Sequence, residues 1–335
     1  MEAARQHWDA IAKPLHSLGR LEDLVVQLAG ITGTANLPPR KKAVLIFCAD
    51  NGVVAEGVTQ TTQAVTAAVT RNFTKGITSV NALSRVCGAD VFPVDIGVAE
   101  ELHCDGIISR KIAAGTRNFA HEPAMTREQA ERAILTGIAL VGEKVAAGYN
   151  LIITGEMGIG NTTTSSAVAA VLLGQPVERM TGRGAGLSDE GLARKVDAIC
   201  RGILRNEPDP TDPLDVLAKL GGFDLAGLCG VFLGGALEGL PVLMDGFISG
   251  VAALCAVRLC PAAEKAVFAS HCSTEPAARL VLEALGKAPL LTAGLHLGEG
   301  TGAVASIPLW DMALAVYRDC YSFTEGGITP YTPQC

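Results

Sequence analysis

The sequence predicts an α/β fold: an open, largely parallel sheet flanked by helices, with a ligand cleft at the carboxyl edge of its strands. Three observations predict it. Hydrophobic residues make up 49% of the 335-residue chain but aromatics only 4%, so Ala, Val, Leu and Gly must fill a large core. Small side chains of this kind suit close helix-on-sheet contact. Continuous apolar runs of strand length recur and end in a polar residue, and segments with helical periodicity lie between them.

Taken in order, residues 2–12 read as a polar helix rather than a signal peptide. Leu21, Leu24, Val25 and Leu28 then recur at helical spacing. The polar break LPPRKK (37–42) precedes AVLIFCAD (43–50), a strand buried on both faces that delivers Asp50 into a loop. A helix is expected near 62–86 and a strand over 89–97, carrying Asp95. A helix over 126–147 leads to a strand over 149–154, which runs into the stretch TGEMGIGNTTTSS (154–166). Hydroxyl and amide side chains in 161–166 suit the start of a helix. Further helices are expected over 188–205 and 225–238, separated by a proline-rich loop at 206–213. Strands over 241–244 and 265–270 end at Asp245 and His271, and an apolar helix spans 303–317. The apolar run 226–244 carries Glu238 and Pro241, and the run 251–259 is too short to span a bilayer, so both read as buried elements of a soluble protein.

The formal net charge of -7 argues against a nucleic-acid surface. The 10 cysteines show no disulfide spacing and no Cys/His zinc pair. With Cys48, Cys229, Cys255 and Cys260 in apolar runs, they read as reduced, core-filling thiols of a cytoplasmic protein.

Three glycine-rich segments carry the candidate chemistry. In TGEMGIGNTTTSS, Gly155, Gly158 and Gly160 lie between a strand and a helix. They are read equally as a phosphate-holding turn, using N–H groups and the helix dipole, or as a tight turn that needs glycine for steric reasons. Neither a Walker A ending nor dinucleotide-fingerprint spacing is present. Glu156 is out of place in a phosphate loop, which calls for a cation. A second loop, TGRGAG (181–186), precedes the helix that carries Lys195, which on its own reads as a solvated helix charge. In LGEGTG (297–302), Glu299 stands between glycines before the last helix, either as a general base raised by an apolar cleft or as a helix cap. His271 reads as a structural histidine, since no nucleophile elbow accompanies Ser270. Asp245 is open to ligand binding or to capping. The paired acidic residues that mark transferases using a pyrophosphate-activated sugar are absent.

Together these blocks resemble the nicotinate-nucleotide–dimethylbenzimidazole phosphoribosyltransferase family, which builds the lower-ligand nucleotide of cobalamin. The resemblance covers most of the chain. It runs through KP at 13–14 and SLGRLE at 17–22, CAD at 48–50 and GVVAEGV at 52–58, and GEMG at 155–158 and NTT at 161–163. It continues through GGFDL at 221–225, PVLMDGF at 241–247 and LGEGTG at 297–302. It implies a Rossmann-like parallel sheet (36–302) and a small helical domain built from both chain ends (1–35 and 303–335). It also implies a dimer whose active site lies near the subunit interface. The implied reaction is attack of an aromatic base on ribose C1′ of nicotinate mononucleotide, with inversion. The departing pyridinium neutralises its own charge, so neither metal nor cofactor is expected. Glu299 falls at the family's general-base position. Glu156, Gly158 and Lys195 fall at positions around ribose and phosphate, with Gly182, Gly184 and Ser273 as further phosphate contacts.

The segment after Gly57 departs from the family pattern. Thr61 and Thr62 stand where a Ser-Pro or Tyr-Pro pair is usual, and Ala68 and Val69 where a glutamine is usual. Asn51 replaces a histidine and His16 a glycine. With Leu297, the residues Thr61, Thr62, Ala68 and Val69 are the expected acceptor wall, which has lost an amide. This raises phenol or p-cresol as acceptors beside dimethylbenzimidazole, and a heterodimer with a paralogous chain beside a homodimer. The alternative is a non-catalytic subunit completing a paralogue's site; the retention of Glu299, Glu156 and Lys195 weighs against it.

Overall fold

In a computed structural model, residues 1–331 are described; 332–335, the tail of the expected 303–335 segment, lie outside the described residues. Helices α1 (Glu2–Ala10) and α2 (Arg20–Thr32) precede strand β1 (Lys42–Ala49). The single helix expected over 62–86 is two, α3 (Ala64–Thr74) and α4 (Ser79–Cys87). Gly76, in the left-handed region at φ 71°, ends the first, and a capping box between Thr78 and Asn81 starts the second. Strands β2 (Ala89–Gly97) and β3 (Ile108–Ser109), helix α5 (Arg127–Ala146), strand β4 (Leu151–Met157) and helix α6 (Asn161–Leu173) follow. Next come α7 (Val177–Met180), α8 (Asp189–Asn206), α9 (Pro213–Leu220) and α10 (Phe223–Leu237). The chain closes with β5 (Val242–Met244), α11 (Phe247–Leu259), β6 (Val267–Ala269), α12 (Ala278–Ala284) and α13 (Thr301–Asp319).

The six strands pair in the order β3-β2-β1-β4-β5-β6, all parallel. Chain order therefore reverses between β1 and β4, and in such sheets the crevice outside the carboxyl ends at that reversal is the place for a ligand. β1 is buried along its whole length because both sheet faces are covered. Leu45 and Phe47 face the layer of α5, α6, α10 and α11, while Val44, Ile46 and Cys48 face α1–α4 and α13. The scarcity of aromatics becomes intelligible at α5 and α10. A Cβ at Gly137 would stand 2.0 Å from the Gly227 carbonyl oxygen, and one at Gly230 2.0 Å from that of Ile134. The two helix backbones touch, and only glycine permits it.

The chain ends meet. Ile11 bridges Ser322, and Trp8 packs edge-on against Tyr317 with ring centroids 5.1 Å apart. All nine described cysteines are free; Cys48, Cys229 and Cys255 are buried as expected, whereas Cys260, at the end of α11, is exposed. Among the described residues, no helix is long and apolar enough to cross a membrane.

Candidate active site

One cavity of about 340 Å³ opens at the carboxyl edge of the sheet. Its walls come from the segments after β1, β4, β5 and β6, from α3, and from the loop before α13. The loops after β1 and β4 flank the point where strand order reverses, so the topology itself brings them together.

Glu156 lies within β4, not in the loop expected from its sequence. β4 stays paired to β1 as far as Met157, opposite Cys48, so the first half of the glycine stretch is strand and only its second half turns into α6. The Glu156 side chain is buried on the cavity wall and accepts a hydrogen bond from Asn161 Nδ2, whose amide also reaches Asp224 Oδ2 at 3.1 Å. Burial, then the neighbouring Asp224, push its carboxyl up to about 8. Asp224 itself, on the first turn of α10, is pushed up to about 6 by burial.

Glu299 reaches the same cavity from the loop before α13, which packs against β4. Its backbone is left-handed at φ 61°, between Gly298 at 91° and Gly300 at 87°. A non-glycine residue held there costs roughly 1–2 kcal/mol, a strain that clusters at functional sites. Two glycines let the loop close on β4: a Cβ at Gly155 would lie 2.7 Å from the Glu299 carbonyl oxygen, and one at Gly298 2.5 Å from Glu156 Oε1. Asp245 fixes the loop from below, accepting backbone N–H groups of Gly300 at 3.2 Å and Ala303 at 2.9 Å. It therefore caps α13, an element far along the chain. Glu299 Oε2 is buried with no partner. Burial raises the Glu299 carboxyl, the Val80 N–H at the start of α4 opposes the rise, and Asp245 adds to it.

Lys195 is not the solvated charge its sequence position suggested. It is 0% exposed, because the helix face that carries it turns inward against α6. Its ammonium donates to Thr162 Oγ1 at 2.9 Å and to the Gly182 carbonyl oxygen at 3.0 Å, and burial pulls it down to about 8. Thr162, Gly184, Gly158 and Ser273 line the cavity, while Gly182 lies behind its wall. Gly158 has its Cβ direction filled by the Ala49 carbonyl oxygen at 2.5 Å, so packing alone demands glycine there.

The expected acceptor wall is rearranged. Val69 and Leu297 line the cavity, together with Val58 and Val65. Thr61, Thr62 and Ala68 are exposed and stand outside it. On α3, Val65 and Val69 share one face at a spacing of four, and Ala68 is turned away from it by one residue's rotation. The threonines precede that helix and face solvent. Gln60, which the sequence did not single out, is on the wall and donates to the Gly186 carbonyl oxygen. His271 is buried against Gly302, with Nδ1 3.1 Å from Ser270 Oγ and 3.8 Å from Asp245 Oδ1. Asn161 and Asp224 were also missed as site residues; a buried carboxylate reaching an amide 63 residues away leaves no local signal. Among the described residues no group of three or more His, Cys, Asp or Glu is arranged to hold a metal ion.

Comparison with known proteins identifies relatives along the whole chain. A family model described as "Phosphoribosyltransferase" matches residues 1–328. The nicotinate-nucleotide–dimethylbenzimidazole phosphoribosyltransferase of Acetivibrio thermocellus is 51% identical over 334 residues, covering 100% of this chain and 95% of its own. That of Ruminiclostridium cellulolyticum is 49% identical over 333 residues, covering 99% and 95%. The crystal structure of CobT from Thermus thermophilus superposes with a TM-score of 0.94 at 41% identity, covering 98% of this chain and 99% of that one.

Proposed function

The chain belongs to the nicotinate-nucleotide–dimethylbenzimidazole phosphoribosyltransferase family, and from that premise we propose how its cavity carries out the transfer. The enzyme moves the phosphoribosyl group of nicotinate mononucleotide to an aromatic lower-ligand base, giving nicotinate and an α-ribotide phosphate for a cobamide. The observation that carries the reading is the convergence of Glu156 and Glu299 on one cavity whose wall also holds Thr162, backed by the buried Lys195 ammonium.

Each group then has a task. The C1′–N bond of the nucleotide breaks, its electron pair leaves with the pyridine nitrogen, and that nitrogen loses its positive charge. The acceptor forms the new bond on the opposite face of C1′. Glu299, with a buried, unpartnered oxygen and a raised carboxyl, takes the proton the acceptor sheds. Glu156 faces the ribose end, where positive charge develops at C1′. Thr162, Gly158, Gly184 and Ser273 line the phosphate end, with Lys195 supplying the cation through the Thr162 and Gly182 contacts.

The acceptor in this reading is a benzimidazole-type base between Val58, Val65, Val69 and Leu297, with the Gln60 amide on the same wall. Thr62 and Ala68, which suggested a phenolic acceptor, face away from it. The active form is a dimer in the cytoplasm. Leu297 lines the cavity yet is 57% exposed, an apolar rim suited to a covering second copy, and free thiols suit a reducing compartment. Residues 1–35 and 303–331 group as a small helical unit packed on one face of the sheet, a reading supported by the contacts between α1 and the C-terminal segment. The test is product analysis of the purified chain with nicotinate mononucleotide and a mixture of dimethylbenzimidazole, adenine, phenol and p-cresol. The expected main product carries dimethylbenzimidazole. A phenolic ribotide as main product would overturn the acceptor, and no release of nicotinate would overturn the function.

A further inference from the structure

Three buried side chains form one hydrogen-bonded unit at the cavity, Glu156 and Asn161 on its wall and Asp224 behind it. Asn161 opens α6, and its single amide nitrogen lies between Glu156 Oε2 and Asp224 Oδ2, the latter at 3.1 Å. An amide nitrogen has two hydrogens, so it can donate one to each carboxylate. Asp224 is 0% exposed and has no ion-pair partner among the described residues. It is held at the start of α10, where the Leu225 N–H donates to Oδ1 at 2.9 Å and the helix N-terminus favours negative charge. A Cβ at Gly158 would come within 2.8 Å of Asp224 Oδ2, so this turn is shaped to admit the carboxylate. A buried, unpaired carboxylate costs too much to be there for packing alone.

We propose that Asp224, acting through Asn161, is a positioning residue for the transfer: it locks the Asn161 amide, which aims the Glu156 carboxyl at the ribose. Asp224 does not line the cavity and touches no reacting atom. The proposal rests on the placement of Glu156 at the ribose, and it assigns a role to two residues outside that reading. The protonation of the unit follows its surroundings. Glu156 is faced by Asp224 from α10, by Asp245 after β5 and by Glu299 from the loop before α13. Asp224 is faced by Asp50 after β1, and the cation near Asp50, Lys111, pairs with Asp95 at 3.5 Å. Two buried carboxylates sharing one amide do not ionise together. The negative charge therefore rests on Asp224 first, and Glu156 ionises at higher pH, so its stabilisation of positive charge at C1′ grows as it loses its proton.

The test uses the full chain. Asp224→Asn removes the charge and keeps the shape. Its expected effects are a fall in kcat of about tenfold or more, a KM for nicotinate mononucleotide within about threefold, and a Glu156 titration moved down by about one pH unit. Carbon-13 carboxyl NMR reads that titration, with Glu156→Gln identifying the signal. Asn161→Ala leaves both carboxylates in place and is expected to lose kcat to a similar degree. Wild-type kcat in either folded variant, or an unmoved Glu156 titration in Asp224→Asn, overturns the proposal, and a lowered melting temperature alone counts against it. If Asp224→Asn does not fold, Asn161→Ala decides. If the wild-type chain makes no product, the functional reading fails, while the titration still reports whether Asp224 and Glu156 are coupled.

Discussion

The two carboxylates of the cavity are held in opposite ways. Glu156 belongs to the regular end of β4, pinned by the β1 ladder, bonded by Asn161 and crowded by other acids. Glu299 belongs to a loop of three successive left-handed residues, and one of its oxygens is buried without a partner. Sheet and hydrogen bonds fix the first; two glycines and the Asp245 cap fix the second. A group that must stabilise charge gains from a rigid, satisfied setting, whereas a group that must accept a proton needs an unoccupied oxygen. The difference in support mirrors the difference in proposed role.

The comparison can be broken most directly at Glu299. Glu299→Gln keeps the shape and removes the base; kcat is expected to fall by about 10²–10⁴ with little change in KM, measured by nicotinate release. Retained activity would end the proton-acceptor role. Next in size is Gly298→Ala. Its methyl would meet Glu156 Oε1 at 2.5 Å, from a backbone at φ 91°. Both carboxylates would shift at once, and a loss of about 10²-fold in kcat/KM is expected, since misplacement of about 1 Å has that cost.

A smaller effect separates the carboxylates from the phosphate end. Lys195→Met is expected to raise KM for nicotinate mononucleotide about tenfold at pH 7 and to leave the Glu156 titration in place. In the wild type the same KM should climb above pH 8, where the buried ammonium, lowered to about 8, loses its proton. The smallest expected effect is on stability. Burial raises Glu156 from an ordinary 4.5 to about 8, so between those values the native state holds a proton that the unfolded chain has released. Folding stability therefore falls as pH rises through that window. Glu156→Gln removes the penalty, so its melting temperature should match the wild type near pH 4.5 and exceed it increasingly up to pH 8, by at most a few kcal/mol in stability. A constant difference across that range would show that Glu156 is not the titrating group.

Much of the fold was legible because its signals are local. AVLIFCAD at 43–50 is strand-like without any partner, and the capping residues Thr126 and Ser188 mark their helices where expected. The break between α3 and α4 was missed, although Gly76 and the Thr78–Asn81 box are local signals too; the apolar period on either side masked them. The candidate site divided differently. Glu156 and Glu299 were picked out by their glycine neighbours and by the family blocks, and Lys195 by the family resemblance alone. The outward turn of Ala68, the depth of Lys195 and the reach of Asp224 across α6 could not be read at all.

The sequence by itself determined the alternation of strands and helices, the dominance of small residues in the core and the block pattern of the family, because each depends on neighbours within a few positions. Only the tertiary structure decided which side chains face the cavity and which carboxylates share a hydrogen bond. Those outcomes depend on strand order, which sets β1 beside β4, and on the burial that this pairing imposes. Burial, in turn, sets the charge of Glu156, Asp224 and Lys195, a property no residue carries along the chain by itself.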